Sequence, residues 1–342
     1  MTRNNVRSFL EICLRGLICL ALALLIGFAG MTVIAFIQLR NGREAAGLVD
    51  AVNRAVQGGV IPFLLSGLDK GLSQELSAAA PIVLLSLSAA LVWQAGLYNL
   101  GLAGQYALGA AAAILGAAWG LPWYVCLMLA ALAGALGGAI PGLLKARFHA
   151  PEALTGLLMN WVCIYGVQAP LKGLNRGVGL MPDLGWMAFL IAAASALLSW
   201  GLLRLTVPGF EIRLLGDSDI TARYAGLPMG KIVFRALAVS GLMAGVGGGL
   251  AFLTGAMRTV PNLKLTLTGP GLYGLAAAVL AGGHPMGAAA MGLLISHLAQ
   301  GASAMDASLF PPETGEAILA IILYLASFRM LWSKWRKGEM GK

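Results

Sequence analysis

Three polar residues interrupt long apolar runs in the sequence and could bind an uncharged solute. Two of them, Asn99 and Gln105, lie in the glycine-rich stretch 96–105, which contains no charged residue. A break within a membrane helix frees backbone N–H and C=O groups, and amide side chains beside it can then bind a neutral polar molecule. The same composition is typical of an ordinary turn at the inner membrane surface. The residue types alone leave both interpretations open.

Asn160 is the third of these residues and follows Glu152 by two helical turns, on the same face of an apolar run. A side-chain amide deep in a membrane span should face protein or water, so we expect Asn160 to point away from lipid. Glu152 follows Pro151 at the start of the run, where the helix dipole and free N–H groups stabilise a carboxylate. A cap near the inner surface is the simpler interpretation of Glu152, and contact with a solute is the alternative.

The stretch from Arg204 to Arg235 holds the densest group of charged residues and separates two apolar runs. We expect it to face water and partner proteins. Within it, Gly226-Leu-Pro-Met-Gly-Lys-Ile resembles a phosphate-binding loop. It has three residues between its glycines instead of four, however, and an Ile where magnesium binding needs Ser or Thr. The sequence therefore predicts no nucleotide site.

No other group of residues indicates catalysis or metal binding. The sequence lacks a nucleophile elbow, an H-E-x-x-H segment and a Cys/His cluster. Its three histidines are isolated from one another, and His284 lies among Gly and Pro residues typical of a loop. The four cysteines lie in or beside apolar runs and are expected to be small buried hydrophobic residues. We expect no catalytic residue, no metal and no cofactor.

The sequence around these polar residues predicts membrane helices. Hydrophobic residues make up 59% of the 342 residues and charged residues 11%, which is more apolar surface than a soluble core of this size can bury. The apolar runs predict an all-α polytopic bundle of about ten spans. Glycines concentrated around 134–142 and 241–249 predict close helix packing or broken helices.

The charge distribution predicts the topology of this bundle. With both termini in the cytoplasm, most of the 23 Lys and Arg residues fall on the inner side, which also explains the net charge of +9 without nucleic acid. Residues 39–76 balance four basic against four acidic residues and have apolar residues at near-helical spacing. We expect an amphipathic helix there, at the outer interface. The predicted regions are a first span at 1–38, the outer-face segment at 39–76, a core at 77–332 that contains the charged segment 207–235, and a basic cytoplasmic tail at 333–342.

Four stretches occur in the order found in one family of membrane proteins. Residues 99–105 are similar to the motif N-x-G-x-E-G-Q, although Ala103 stands where a Glu is usual. Residues 152–160 match an E-x(7)-N helix, and residues 213–226 match a cytoplasmic R-x-x-G…A-x-x-x-G segment. Residues 274–287 resemble a late re-entrant hairpin. With these stretches the chain resembles the inner-membrane permease subunits of bacterial ABC importers in the branched-chain amino acid, ribose and nucleoside group, most closely the nucleoside and simple-sugar branch.

The resemblance covers about residues 75–332 and implies the fold of a type II ABC importer permease. It implies a solute pathway between two permease subunits, of which this chain resembles the longer member of a heterodimer. A periplasmic or lipid-anchored solute-binding protein would feed the pathway, and separate ABC ATPase subunits would drive it. A nucleoside is the first expected substrate, a simple sugar the second and a branched-chain amino acid the third, because zwitterions need stronger polar partners.

Candidate residues can be named for two roles, the substrate pathway and the coupling to the ATPase subunits. The candidates for the substrate pathway are Asn99, Gln105, Asn160 and Glu152. The candidates for coupling to the ATPase subunits are Arg213, Gly216, Asp217, Asp219, Arg223 and Gly226.

Two other classes of protein remain as alternatives. An ion-coupled secondary transporter would need a carboxylate or ion site at mid-depth, whereas Glu152, Asp183 and Glu316 are predicted near span ends. A membrane enzyme would need catalytic residues clustered at one surface, and the sequence shows no such cluster.

Overall fold

The described part of the chain is helical apart from short connections. The computed structural model describes residues 25–37, 48–172, 184–254, 269–311, 313–321 and 324, and these contain no strand. The predicted basic tail at 333–342 and residues 1–24 of the predicted first span lie outside the described residues. The helices are α1 (Leu25–Ile37), α2 (Leu48–Ala55), a π-helical turn (Val56–Val60), α3 (Ile61–Lys70), α4 (Leu72–Trp93), α5 (Leu102–Ala118), α6 (Trp123–Phe148), α7 (Glu152–Lys172), α8 (Trp186–Leu205), α9 (Val207–Asp217), α10 (Asp219–Tyr224), α11 (Met229–Leu253), α12 (Pro270–Leu280) and α13 (Pro285–Ala304), and residues 313–321 are also helical.

Among the described residues, five helices are long and apolar enough to cross a membrane. They are α4, α6, residues Glu152–Leu171 of α7, α8 and α11. Helices α1, α5 and α12 are apolar but shorter. The prediction of an all-helical chain with several membrane-crossing helices is confirmed, and the number of ten spans stays a prediction.

The helices differ in how much of their surface the protein covers. In α4 and α11, 83% and 78% of the residues in the most apolar window are buried, whereas in α6, α7 and α8 the share is 28–33%. Apolar residues that face outward in a membrane helix contact lipid or another subunit. Helices α4 and α11 are therefore the centre of this bundle, and α6, α7 and α8 lie at its edge.

Glycines bring the backbones of α6 and α11 into direct contact. Gly134 and Gly138 are one turn apart on α6 and face Gly241 and Gly245 of α11. A Cβ atom placed on Gly241 would lie 2.9 Å from the α-carbon of Gly138, and one on Gly134 would lie 2.5 Å from the α-carbon of Gly245. The close packing predicted from the glycine-rich runs is confirmed here, because only residues without a side chain allow this approach.

Buried serines join α4 to α11 and α13. The Ser88 hydroxyl donates to the Ser240 carbonyl at 2.6 Å, and the Ser240 hydroxyl donates to the Ser88 carbonyl at 2.9 Å. Ser86 donates to the Ala288 carbonyl at 2.8 Å. A hydroxyl in an apolar interior needs such a partner, and here the partner is on a neighbouring helix.

The chain divides into two compact units, Ser73–Ser296 and a second one made of Met1–Leu72 with His297–Lys342. In the second unit, the predicted amphipathic region is helical from Leu48 to Lys70. Its buried residues include Ala51, Ala55 and Phe63, which are spaced four and eight residues apart along the sequence. Gly59 packs against Phe310, and Gly301 packs against the Phe63 backbone. The position of this region at the outer interface stays a prediction.

Candidate functional site

A cavity of about 220 Å³ lies where α4 and α5 are separated by the loop 94–101, which we call the α4–α5 loop. We name it the amide cavity, since its polar side chains are those of Asn99 and Asn160. Its other lining residues are apolar or glycine. The full set is Asn99, Leu100, Leu102, Ala103, Leu157, Asn160, Gly271, Leu272 and Leu275.

Asn99 is the centre of a buried hydrogen-bond network. Its Nδ2 donates to Gln105 Oε1 and to Ser240 Oγ, both at 2.8 Å. Its Oδ1 accepts from the Gly101 amide at 3.0 Å and from Gln105 Nε2 at 3.2 Å. An Asn side chain offers two donor hydrogens and two lone pairs, so Asn99 uses all of them. The network joins the α4–α5 loop to α5 and α11.

Asn160 joins α7 to the same loop. Its Oδ1 accepts from the Gly104 amide at 2.7 Å, and its Nδ2 donates to the Leu100 carbonyl at 2.6 Å. Only 3% of the residue is exposed, which confirms the prediction that this amide faces away from lipid. One amide hydrogen and one lone pair of Asn160 have no partner among the described residues.

Gln105 lies behind Asn99 rather than at the cavity wall. It is 1% exposed and is absent from the set of residues that line the amide cavity. Its side chain pairs with that of Asn99 through two amide hydrogen bonds. Gln105 therefore contributes by fixing the Asn99 side chain.

A second cavity, of about 740 Å³, lies beside the charged segment. We name it the charged cavity. Glu152 lines it and forms an ion pair with Lys145 at 2.8 Å, between the start of α7 and the end of α6. The structure thus separates Glu152 from Asn160, although both are on α7. The full set of lining residues is Ala95, Gly96, Leu97, Lys145, Ala146, His149, Glu152, Leu215, Gly216, Asp217, Ser218, Asp219, Arg223, Leu227, Met229, Gly230 and Val233.

The charged segment folds into two short helices, α9 and α10, which are capped by side chains. Thr206 accepts from the Gly209 amide and Ser218 accepts from the Thr221 amide, each at 3.2 Å. These are the side-chain caps expected at helix N-termini, and Ser218 ends α9 and begins α10. The candidate coupling residues Gly216, Asp217, Asp219 and Arg223 lie around this junction and line the charged cavity.

Both charged and apolar side chains of this segment are exposed. Arg223 and Asp219 form a solvent-exposed ion pair at 3.2 Å, which adds little stability. Ile220 and Tyr224 are 67% and 90% exposed, one helical turn apart on α10. An exposed pair of large apolar side chains outside the spans is typical of a protein contact surface. The sequence-based candidates in this segment are charged residues and glycines, and the amphipathic spacing of α10 is the signal that could have added this apolar pair.

Gly216 of α9 contacts the α4–α5 loop directly. A Cβ on Gly216 would overlap the Gln94 carbonyl oxygen and would lie 3.0 Å from the Gly96 amide nitrogen. Gly96 has a φ of +71°, a conformation that favours glycine. Gln94 also donates from Nε2 to the Gly283 carbonyl at 2.8 Å. The loop is therefore held between the charged segment and the hairpin formed by α12 and α13.

Several residues of this site could not be found from the sequence. Ser88 and Ser240 read as ordinary small residues in apolar runs, and the contact between Gly216 and Gln94 joins positions far apart in the chain.

The predicted loop residue His284 lies between α12 and α13, where its Nδ1 accepts from the Gly287 amide at 3.4 Å. Burial, with a smaller effect of the Arg204 charge, lowers the pKa of His284 and favours the neutral ring that this contact needs. No group of three possible metal ligands occurs among the described residues.

Replacing Asn99 by leucine should destabilise the protein strongly. The change removes four hydrogen bonds and leaves the Gln105 amide, the Ser240 hydroxyl and the Gly101 N–H without this partner in a buried place. At about 1–3 kcal/mol for each unsatisfied group, the loss should exceed about 3 kcal/mol. Thermal unfolding of the detergent-solubilised protein measures it. Gln74→Leu, which alters an exposed amide on α4, is the control and should leave the melting temperature unchanged.

The chain is similar to several known proteins. Residues 71–327 match the family described as branched-chain amino acid transport system / permease component. The guanosine ABC transporter permease protein NupP of Bacillus subtilis is 27% identical over 281 residues, which cover 74% of this chain and 80% of the relative. The nucleoside ABC transporter permease protein NupB of Lactococcus lactis is 25% identical over 301 residues, with 78% and 81% covered. The glucose ABC transporter permease protein TsgB13 of Haloferax volcanii is 26% identical over 306 residues, with 78% and 79% covered.

The part of the chain that matches the family also contains the candidate site. The matched residues contain the five described helices that are long and apolar enough to cross a membrane, both cavities described above and the charged segment. The three relatives are named as permease proteins of ABC transporters. The chain is a multi-pass membrane protein and belongs to the family of permease components of branched-chain amino acid transport systems.

Proposed function

We propose that this chain forms the solute pathway of an ATP-driven importer for a nucleoside or a simple sugar, and that separate ABC ATPase subunits drive it through the segment 207–235. Support comes from the names of the relatives, of which two concern guanosine or nucleosides and one concerns glucose. The charged segment lies between α8 and α11 along the chain, and its side chains Ile220 and Tyr224 are exposed.

The amide cavity supports a neutral solute. None of the described residues that line it is charged, and Ala103 occupies the position where the related motif has a Glu. A branched-chain amino acid would bring an ammonium and a carboxylate group into this cavity, and both would lose water without an opposite charge. We assign Asn99, Gln105 and Asn160 to the pathway, with the first two holding its wall. Glu152, which pairs with Lys145 at the charged cavity, would then act at the cytoplasmic end.

The observation that carries the proposal is the position of the α4–α5 loop. Residues 95–97 of this loop line the charged cavity, and Asn99 and Leu100 line the amide cavity. Gly216 of the charged segment touches the loop at Gln94 and Gly96. A movement of α9 driven by the ATPase subunits would therefore reach the solute pathway through one continuous segment. In transporters, alternating access usually arises when packed elements move together between two arrangements.

We further propose that the chain works in an assembly with several partner proteins. The exposed side chains Ile220 and Tyr224, flanked by Asp217, Asp219 and Arg223, form the surface on which an ATPase subunit docks. A second permease subunit, forming a heterodimer, would close the pathway, and a periplasmic or lipid-anchored solute-binding protein would deliver the solute. In this assembly the chain lies in the bacterial inner membrane with about ten spans, both termini in the cytoplasm and the segment 39–76 at the outer face.

Reversing the charges of the coupling segment tests the proposal. Arg213→Glu with Arg223→Glu should lower the recovery of the ATPase subunit in a pull-down and the rate of ATP-driven guanosine uptake, each by about tenfold, because opposed charges across an interface guide docking. Arg147→Glu is the control, since Arg147 is exposed like Arg223 but lies at the end of α6, outside the segment. Unchanged assembly together with unchanged uptake in the double variant would refute the coupling role.

A further inference from the structure

The amide cavity has the features of a site for one flat ring system. We infer that it takes the nucleobase of a nucleoside, with Asn160 as the residue that contacts the polar edge of the base. The inference rests on the proposed function and selects one of its two substrate classes. The relatives do not make this choice, because their names include both nucleosides and glucose.

The size and walls of the cavity favour a base. Its volume of about 220 Å³ is below the roughly 300 Å³ at which pockets for whole small molecules begin, so it holds part of a solute. Five leucines form most of the wall, and Leu157 and Leu272 are 44% and 49% exposed at its open side. A nucleobase offers two apolar faces to such a wall. The ribose of the same nucleoside would then lie outside, toward the second subunit.

The cavity can satisfy the polar groups of a nucleobase better than the hydroxyl groups of a sugar. Asn99 has all four of its positions engaged by protein groups, so it cannot also bind a solute without breaking the network. Asn160 has one donor and one acceptor left. An Asn amide recognises a base edge with this combination. A simple sugar carries hydroxyl groups around its whole ring, and most of them would lose water against leucine without a partner.

The position of Ala103 fits the same inference. Ala103 lines the cavity and packs against Gly271 at the start of α12, where a Cβ on Gly271 would lie 2.9 Å from Ala103 Cβ. This close contact keeps the cavity narrow, and the alanine side chain leaves this part of its wall uncharged. A lipid acyl chain is an unsuitable occupant, because the remaining amide hydrogen of Asn160 would then have no partner.

Photolabelling of the assembled permease–ATPase complex with 8-azidoadenosine tests the inference. We expect label in peptides that contain residues 157–160 or 272–275, and we expect unlabelled adenosine, but neither ribose nor glucose, to compete. Asn160→Ala should reduce labelling about tenfold through loss of the edge contact. Leu272→Trp should also block it by filling the open side. Leu272 is half exposed, so this variant should fold even if Asn160→Ala does not, while Gln74→Ala is the control that should label normally.

The outcomes separate the two hypotheses. Label elsewhere, competition by glucose rather than adenosine, or normal labelling of Leu272→Trp would overturn the nucleobase site. ATP-dependent uptake of glucose or ribose, without uptake of any nucleoside, would overturn the nucleobase site and leave the importer proposal standing. The importer proposal itself fails if the complete assembly in proteoliposomes shows no ATP-dependent uptake of nucleosides or sugars.

Discussion

Gly241→Leu is expected to abolish folded protein. Gly241 of α11 packs on Gly134 and Gly138 of α6, and a Cβ there would lie 2.9 Å from both the α-carbon and the amide nitrogen of Gly138. These are backbone atoms, which cannot rotate away as a side chain can. The two helices would have to separate, and the expected cost exceeds about 3 kcal/mol, the upper end for overpacking a core. Because α11 is one of the two central helices, the change should reach the whole bundle.

Size-exclusion chromatography of the detergent-solubilised protein, followed by thermal unfolding, measures this effect. Gly166→Leu is the matched control. Gly166 also lies within a membrane helix, α7, but nothing lies within 4 Å of a Cβ placed on it. A Gly241→Leu protein with normal yield and a normal melting temperature would show that the α6–α11 contact does not hold the bundle together.

The second large effect is expected at Gly216. Gly216→Ala adds a single methyl group, and α9 tolerates alanine in its backbone conformation. The methyl group would overlap the Gln94 carbonyl, so α9 must move away from the α4–α5 loop. If this contact transmits ATPase movements, ATP-driven uptake should fall by about 100-fold or more, while binding of the ATPase subunit is largely retained.

The matched control is Gly230→Ala at the start of α11. A methyl group at Gly230 would lie 3.4 Å from Ala146, which the surrounding atoms can accommodate by a small shift. Parallel measurement of uptake and of ATPase pull-down distinguishes lost coupling from lost assembly. Wild-type uptake by Gly216→Ala would mean that the charged segment and the pathway communicate by another route.

Glycine serves a different purpose at each of these two positions. Between α6 and α11 it lets two long helices approach along a groove, which the sequence indicates through glycines repeated within apolar runs. At Gly216 it lets a polar segment lie on a loop that is 120 residues away in the sequence. The repeated pattern is readable without a structure. A single glycine in a charged stretch is not, because its partner is set by the tertiary fold.

The candidate site could be predicted only in part. The apolar runs, the break at 96–105 and the charged stretch at 204–235 identify the elements and the polar residues among them. Asn99 and Asn160 line one cavity, and their assignment to the solute pathway stays a prediction. Their hydrogen bonding differs, however, because Asn99 donates to Gln105 and Ser240 and accepts from Gly101 and Gln105, which engages its side chain completely. The sequence cannot show which protein groups engage an amide, since those groups come from other helices.

The class of this protein and its membrane environment can be established from the amino-acid sequence without a structure. Composition and the length of apolar runs depend on local physics, namely the cost of placing charge and unpaired backbone groups in hydrocarbon. The tertiary structure alone decided that Glu152 belongs with Lys145 and the charged segment rather than with Asn160. It also decided that one loop touches both cavities. Contacts of this kind join residues from separate helices, and they are fixed by the packing of the whole bundle.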